Sequence, residues 1–481
     1  MGPARDAPPP AGCAASLPPP AFLPDPLLQA LKAPSPSLPL HLPAHGRGRG
    51  LAPALRSLLR RPAASWDLPE LPEIGGPLEA DGAVAAAQAR AAALCGADHC
   101  WFGVNGASGL LQAAVLALAP PGSRLLLPRN LHRSLLHGCV LAQVEPLLYS
   151  LPFEACSGLW LPPDAAHLER VLQQALASGP VAALVLVDPT YQGLQADLTP
   201  LIAFAHRQGL PVLVDQAHGR GDAVAAGADL TVLSLQKAAG GLAQSAVLLS
   251  RGTRLSLEAL ERSLLWLQTS SPSALLLASC SAAITALHSR RGQRQRARAE
   301  ACGLRLQQRC RELDLPLLEG GDPLRPSLLT APLGFTGLDA DAWLLARGVV
   351  AELPEPGCLC FCLGERPPWG VEKRLPRQLL QLRRALGGDP LPPFSPPPLP
   401  LLAAPDLPLG VAWRAPRRRL PLAETLNRWA AEPLCPYPPG IPLLVPGERI
   451  EAARLDWLLQ MQRLWPDQIP AEISVVDRPG P

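Results

Sequence analysis

Three lysines, Lys32, Lys237 and Lys373, supply every side-chain amine in a chain that carries 43 Lys and Arg residues. An arginine guanidinium stays protonated, so a reaction that needs an amine able to lose its proton has three candidates. Lys237 leaves the apolar run DLTVLSL (229–235) and enters the Gly-rich segment QKAAGG (236–241). Burial at such a strand end lowers the pKa of an amine and makes it a nucleophile. We therefore predict that Lys237 is catalytic; the alternative is a surface lysine flanking a strand.

A carboxylate follows a second apolar run. Asp215 comes directly after PVLV (211–214), and the small Ala217 and then His218 follow it. A carboxylate at a strand end can bind a metal, a ribose or a protonated ring nitrogen, or it can cap the next turn. The ring nitrogen of pyridoxal phosphate needs such an anion, because the protonated ring accepts electrons during catalysis. Ala217 would let a flat ring lie against the backbone.

A Gly-rich turn opens a helical segment earlier in the chain. NGASG (105–109) lies between the apolar run CWFGV (100–104) and the helical pattern LLQAAVLALA (110–119). Free N–H groups and the positive dipole end at a helix N-terminus bind phosphate, and the Ser108 hydroxyl adds a donor. An ordinary helix cap is the alternative, since Gly and Ser are common at that position.

A histidine stands at a comparable place after a fourth run. His132 in PRNLHRS (128–134) follows RLLLP (124–128), and its imidazole could stack on a cofactor ring or simply mark a helix start. Ligands of open parallel sheets gather outside the carboxyl ends of the strands. Because the phosphate turn, histidine, aspartate and lysine each follow a different run, together they predict one cofactor site.

The elements that must position these residues alternate along the chain. Apolar strand-like runs separated by helical segments are typical of an α/β fold with a mainly parallel sheet covered on both faces. The predicted strands are 100–104, 124–128, 181–187, 211–214, 229–235 and 245–250. The predicted helices include 83–94, 164–178 and 201–208.

Composition divides the chain into five predicted segments. They are a Pro-rich N-terminal arm (1–65), a cofactor-binding major domain (66–300), a small α+β domain (301–389), a Pro-rich linker (390–408) and a C-terminal domain (409–481). A long apolar helix beginning near Ser273 is expected to leave the major domain.

Charge and composition exclude several classes of function. The net charge of +3 and the lack of a basic stripe interleaved with aromatic residues argue against a nucleic-acid partner. No run reaches the ~20 apolar residues of a membrane span, and no secretory signal is evident, so we predict a cytoplasmic protein. Cys358, Cys360 and Cys362 alternate with apolar residues as on one face of a strand. They lack the paired spacing of a zinc site, so no metal is expected.

Taken together, these segments resemble the Orn/Lys/Arg decarboxylase family. The resemblance implies a short-form decarboxylase that depends on pyridoxal phosphate. It also implies the fold-type-I, aspartate-aminotransferase-like architecture: a large domain, a small α+β domain and a C-terminal domain. The expected substrate is arginine, lysine or ornithine, the products are the corresponding amine and carbon dioxide, and the assembly is a homodimer or larger. The matching segments, within about residues 25–470, are LHLPAHGRGRG (40–50), NGASG, PRNLHRS, DPTYQG (188–193), VDQAHG (214–219), SLQKAAGGLAQ (234–244), LQTSSPSALLLAS (267–279) and PYPPGIPLLVPGE (436–448).

The resemblance also implies roles for individual residues. Lys237 would be the Schiff-base lysine, and Asp215 the partner of the pyridine nitrogen. His132 and Ala217 would lie on the two faces of the ring. The phosphate would be held by Ser108 and Ser234 and by the backbone of Gly106 and Ala107.

Two positions depart from the family pattern. Gln236 stands where the family usually has a histidine before the lysine, and glutamine can donate a hydrogen bond but cannot carry a proton at neutral pH. Proton transfer would then be slower or would use His218. Ala107 stands where threonine is common, which removes one hydroxyl donor to the phosphate.

Other outcomes stay open at this level. Transamination or β-elimination would use the same scaffold, and a cofactor-binding protein with weak activity is a third hypothesis. The sequence does not separate arginine, lysine and ornithine. Glu448 and Glu352 are candidates to bind the distal cation of the substrate, with a surface role as the alternative for each.

Overall fold

The structure is a computed structural model that describes residues 26–32, 38–435, 441–464 and 469–477. Contacts divide the chain into two units, Met1–Pro36 and Ser37–Pro481. The described residues of the first unit form one short helix. All other elements belong to the second unit and are described by themselves.

The α-helices of the described residues have the following bounds: α1 Pro26–Lys32, α2 Pro53–Leu58, α3 Gly82–Cys95, α4 Gly106–Leu118, α5 Arg133–Ala142, α6 Ala165–Ala177, α7 Leu198–Arg207, α8 Asp222–Ala226, α9 Leu235–Ala238, α10 Leu257–Leu267, α11 Ala274–His288, α12 Arg290–Arg311, α13 Gly337–Leu345, α14 Val371–Leu386, α15 Leu409–Arg414 and α16 Ala452–Leu464.

The strands are β1 Leu38–Pro39, β2 His99–Gly103, β3 Arg124–Pro128, β4 Glu145–Tyr149, β5 Phe153–Glu154, β6 Leu159–Trp160, β7 Ala183–Val187, β8 Val212–Gln216, β9 Leu230–Ser234, β10 Ala246–Ser250, β11 Ser327–Leu329, β12 Val349–Val350, β13 Leu353–Pro354, β14 Cys358–Cys360, β15 Leu402–Ala403, β16 Arg417–Pro421 and β17 Glu472–Val476.

An eight-stranded sheet forms the centre of the second unit. Its order is β15-β4-β3-β7-β8-β9-β10-β2. Strands β4, β3, β7, β8 and β9 are parallel to one another, while β10 is antiparallel to both of its neighbours and β15 to β4. The six predicted strands are present as β2, β3, β7, β8, β9 and β10, so the predicted mainly parallel α/β sheet is confirmed.

Helices cover both faces of this sheet, as its unbroken apolar strands require. Leu125 and Leu127 of β3 belong to a buried cluster with α4 and α5, whereas Leu126 between them packs with α6 and α7 on the opposite face. Successive side chains of a strand point to opposite faces, so a strand buried on both sides must be apolar throughout. The sheet is therefore a rigid platform whose strand ends carry the polar residues.

The smaller region is built on a three-stranded antiparallel sheet, β11-β14-β13, with its own buried apolar cluster. The predicted cysteine strand is present as β14, and Cys358, Cys360 and Cys362 are all buried. No group of three or more His, Cys, Asp or Glu side chains among the described residues is arranged to hold a metal ion.

Part of the predicted N-terminal arm is packed into the second unit. Strand β1 pairs with β12, the Ala44 N–H donates to the Gln236 carbonyl at 2.8 Å, and the Ala52 N–H donates to the Gly240 carbonyl at 2.9 Å. Residues 38–52 therefore support the segment that carries Lys237. The other predicted segment boundaries stay predictions.

The C-terminal region packs β16, β17 and α16 around a separate apolar cluster. The Pro-rich segment before it contributes β15 to the edge of the central sheet. Residues 436–440, the first five of the predicted PYPPGIPLLVPGE match, lie outside the described residues. The described helices include none that is both long and apolar enough to cross a membrane.

Candidate active site

A cavity of about 570 Å³ opens at the carboxyl ends of the central strands. This is a typical volume for a site that encloses a cofactor or small ligand. All ten residues predicted for the site line it: Gly106, Ala107, Ser108, His132, Asp215, Ala217, His218, Ser234, Gln236 and Lys237. The residues predicted from the strand-end rule therefore lie together in one cavity, and their roles stay predictions.

Lys237 lies on the single helical turn α9 immediately after β9. Its Nζ is 3.1 Å from Nε2 of His218. Burial lowers the pKa of Lys237, and the nearby carboxylate of Asp215 opposes that effect. The amine is thus poised to release its proton more readily than a surface lysine would.

Asp215 is the penultimate residue of β8 and is buried, and its Oδ1 accepts a hydrogen bond from the Ala217 N–H at 3.0 Å. Burial raises the pKa of Asp215, although that N–H and the charge of Lys237 both act to lower it. A buried carboxylate with a raised pKa gains most from a cationic partner. Asp215 therefore fits the protonated nitrogen of a pyridine ring.

His132 both begins a helix and faces the cavity, the two roles that its position in the sequence allowed. It is the N-cap of α5, where its Nδ1 accepts from the Ser134 N–H, and it also lines the cavity. Although His132 as a whole is exposed, partial burial of its ring and the charge of Lys237 lower the pKa of His132. The imidazole is consequently neutral at neutral pH.

His218 is neutral for a similar reason. Burial lowers its pKa well below the usual value, and Lys237 adds to that effect. Its ring lies 4.4 Å from the ring of Tyr191. A neutral imidazole nitrogen at hydrogen-bond distance from an amine can accept a proton from it.

The N-terminus of α4 lines the cavity with its first turn. The Gly106 N–H donates to the Gln244 carbonyl at 2.8 Å and is engaged within the protein, while the role of the Gly106 backbone toward phosphate stays a prediction. Gly106 has a φ of 67°, a conformation that favours glycine, and this places the following residues in the turn. The N–H groups of Ala107 and Ser108 belong to the helix turn that has no intrahelical acceptors.

Several cavity residues were not identified from the sequence. Tyr191 and Gln192 follow the end of β7, so the strand-end rule could have found them. Asn130 and Trp160 line the cavity, and their side-chain atoms Oδ1 and Nε1 are buried without a hydrogen-bond partner among the described residues. Buried polar atoms without partners are rare in native proteins.

The two carboxylates predicted to bind a substrate cation are engaged elsewhere. Glu352 accepts hydrogen bonds from the Tyr191 hydroxyl and, at 2.6 Å, from the Leu42 N–H. Glu448 is buried, with an Oε2 that is 3.1 Å from Nη1 of Arg129 and an Oε1 that is 3.3 Å from Nη1 of Arg454. Burial alone would raise the pKa of Glu448, but the arginines outweigh burial and lower it. Neither interpretation offered for Glu448 fits the structure: its carboxylate is occupied by two arginines, and the residue is buried and not at the surface.

Three features fit pyridoxal phosphate: a buried carboxylate that no cation of the described residues hydrogen-bonds, an amine that loses its proton readily, and the N–H donors at the N-terminus of α4. Together with the mainly parallel sheet they define a fold-type-I enzyme that depends on this cofactor.

Comparison with known proteins identifies the family. The profile of the Orn/Lys/Arg decarboxylase major domain matches residues 26–352, and that of the C-terminal domain of the same family matches residues 412–470. The chain belongs to the Orn/Lys/Arg decarboxylase family, and it is a decarboxylase of basic amino acids. The resemblance noted from the sequence is thereby confirmed.

Individual relatives cover most of the chain. An arginine decarboxylase of Bacillus subtilis is 30% identical over 453 residues, 87% of this chain and 89% of that protein. An arginine decarboxylase of Halalkalibacterium halodurans is 30% identical over 457 residues, 88% of this chain and 90% of that protein. The constitutive lysine decarboxylase of E. coli superimposes with a TM-score of 0.72 at 19% identity, covering 84% of this chain and 74% of that chain. This last likeness shows the fold.

Proposed function

We propose that the protein decarboxylates arginine, giving agmatine and carbon dioxide. One observation carries the assignment of the site: the half-buried amine of Lys237 stands 3.1 Å from His218 in a cavity that Asp215 also lines. The choice of arginine rests on the curated relatives, four of which are named arginine decarboxylase at 26–30% identity.

The cavity residues divide into three groups around the cofactor. Lys237 would bind it covalently, and Asp215 would hold the proton on its ring nitrogen. His132 and Ala217 would lie against the ring. The remaining residues would hold the phosphate or border it: Ala107 and Ser108 through the first turn of α4, Ser234 through its hydroxyl, and Gln236 as a neighbour of Lys237.

When bound, the cofactor supplies an electron sink for the negative charge left at the α-carbon as carbon dioxide departs. The protein supplies the rest. Asp215 keeps the ring nitrogen protonated because a buried anion stabilises that cation. His218 can exchange a proton with Lys237 through Nε2. The neutral imidazole of His132 offers a flat surface without adding a competing positive charge.

Carbon dioxide release from arginine, lysine and ornithine tests the proposal. Purified holoenzyme should release carbon dioxide and agmatine from arginine at a higher kcat/KM than from the other two amino acids. Keto-acid formation from the same substrates would instead indicate transamination. If cofactor binds fully while none of the three substrates yields carbon dioxide, the protein is a cofactor-binding protein without this activity and the proposal fails.

His218 is proposed to carry the proton that Gln236 cannot. Replacing His218 with Gln should lower kcat by about 10²-fold, the contribution typical of a general acid or base. Gln236→Ala should lower it by less than about tenfold, since only a hydrogen bond is lost. Steady-state kinetics of both variants measure the difference. Equal losses in the two variants would contradict the assignment to His218.

We extend the proposal to a homodimer located in the cytoplasm. In keeping with a partner surface, Leu265 and Trp266 at the end of α10 are 66% and 75% exposed. Large apolar side chains that lie together on a surface are typical of interaction sites. Sedimentation velocity measures the oligomeric state; a species of 50.8 kDa at micromolar concentration would contradict the dimer.

A further inference from the structure

Glu355 is a second carboxylate in the wall of the cavity that holds Lys237. It lies in the turn between β13 and β14, where its N–H donates to the Cys358 carbonyl at 2.8 Å. Only 7% of the residue is exposed. Because the turn joins two paired strands, the backbone at Glu355 is held in place.

Only one of the two carboxylate oxygens of Glu355 accepts hydrogen bonds from the described residues. Oε2 accepts both of its hydrogen bonds, from Gln192 Nε2 at 2.5 Å and from Cys358 Sγ at 3.3 Å. Oε1 accepts none from the described residues, and none of their Arg, Lys or His side chains forms an ion pair with Glu355. Burial consequently raises the pKa of Glu355 to about 7.

Three other buried carboxylates of the second unit have an arginine partner, whereas Asp188 and Asp215, like Glu355, form no ion pair with the described residues. Glu448 pairs with Arg129, Glu365 with Arg296, and Asp229 with Arg254. A buried carboxylate that lacks a cation is destabilising unless a partner arrives. The cavity wall therefore contains an acidic position that either takes up a proton or binds the cation of a ligand.

We infer that Glu355 binds the distal cation of the substrate and so determines the selectivity for basic amino acids. This inference rests on the proposed function. A guanidinium suits the position because its planar set of N–H donors can reach the free Oε1. The cofactor and the distal cation of the substrate then bind in different parts of one cavity. Asp215 marks the cofactor part, and Glu355 marks the part that selects the substrate.

Ionisation of Glu355 gives the inference a pH dependence. The titratable groups close to it are the thiols of Cys358 and Cys360, and His132, His218 and Lys237 line the same cavity. Burial keeps both thiols protonated by raising their pKa values, that of Cys360 to about 12. Affinity for a cationic ligand should thus rise as the pH increases through about 7, where Glu355 loses its proton.

Binding of agmatine to the holoenzyme tests this directly, because agmatine carries the guanidinium but has no carboxylate to lose. Isothermal calorimetry should show that Glu355→Gln weakens agmatine binding by about 30-fold or more, the effect of removing one partner of a buried charge pair. Glu355→Asp should retain part of the affinity. Glu319→Gln removes an exposed carboxylate of the same region and serves as the matched control, with unchanged binding.

Turnover separates this inference from the proposed function. Citrulline has a neutral urea in place of the guanidinium, so Glu355→Gln should lower kcat/KM for arginine and leave that for citrulline unchanged. The variant should keep the visible absorbance of bound cofactor, which shows that the cavity is intact. The role of Glu355 would be overturned if the variant bound agmatine as tightly as the wild type and kept the wild-type ratio of kcat/KM for arginine to kcat/KM for citrulline. The proposed decarboxylation of arginine would still stand. Wild-type holoenzyme that releases no carbon dioxide would refute the proposed function instead.

Discussion

Replacing Lys237 with alanine should abolish carbon dioxide release, lowering kcat by roughly 10⁴-fold or more, as removal of a covalent nucleophile does in other enzymes. No other described residue of the cavity has a side-chain amine. The neighbouring His218 cannot take over, because an imidazole would not bind the cofactor in the same covalent way. Single-turnover carbon dioxide release, together with the visible absorbance of the purified variant, measures the loss.

Two further variants make this result specific. Lys237→Arg keeps the positive charge but removes the ability to lose a proton, so it should be as inactive as the alanine variant. Lys373→Ala removes a lysine on the exposed face of α14 and should leave activity unchanged. Substantial activity in Lys237→Arg would show that the lysine acts only through its charge and would contradict covalent binding.

The sequence was sufficient to predict the sheet and to bring the ten candidate residues to one cavity. Buried parallel strands are apolar throughout, so their ends are marked by the first polar residues that follow. Asp215, the penultimate residue of β8, and Lys237, just after β9, could be placed at one edge for this reason. Ser108 at the start of α4 and His132 before α5 followed from the same rule.

The remaining features depended on contacts that local sequence does not encode. The Gly106 N–H is used by the Gln244 carbonyl, a residue far along the chain. Glu448 looked available in a Pro-rich loop, but its partner Arg129 is contributed by the end of the central sheet. Glu355 belongs to the smaller region and meets the cavity only because that region packs beside β7 through contacts such as the one with Gln192. Long-range pairing of this kind has no periodic pattern in the sequence.

The pair of Arg129 and Glu448 should have the largest effect on stability. The two side chains are 0% and 2% exposed, and Arg129 also donates to the Pro442 carbonyl at 3.1 Å. Arg129 precedes the cavity residue Asn130, and Pro442 follows the cavity residue Ile441. The ion pair thus joins the C-terminal region to the wall of the active site.

Glu448→Gln would leave Arg129 and Arg454 close together without their shared anion, so it should lower the free energy of unfolding by about 3–5 kcal/mol. The double variant Arg129→Met with Glu448→Gln should be more stable than Glu448→Gln alone, because one unpaired buried charge is removed with its partner. Urea unfolding measures the free energy of unfolding of both variants.

The control variant Glu472→Gln breaks an exposed ion pair with Arg419, in which the two side chains are 3.5 Å apart. It should lower the free energy of unfolding by less than about 1 kcal/mol. Additive losses in the double variant would mean that the two residues stabilise the protein independently, which their geometry does not allow.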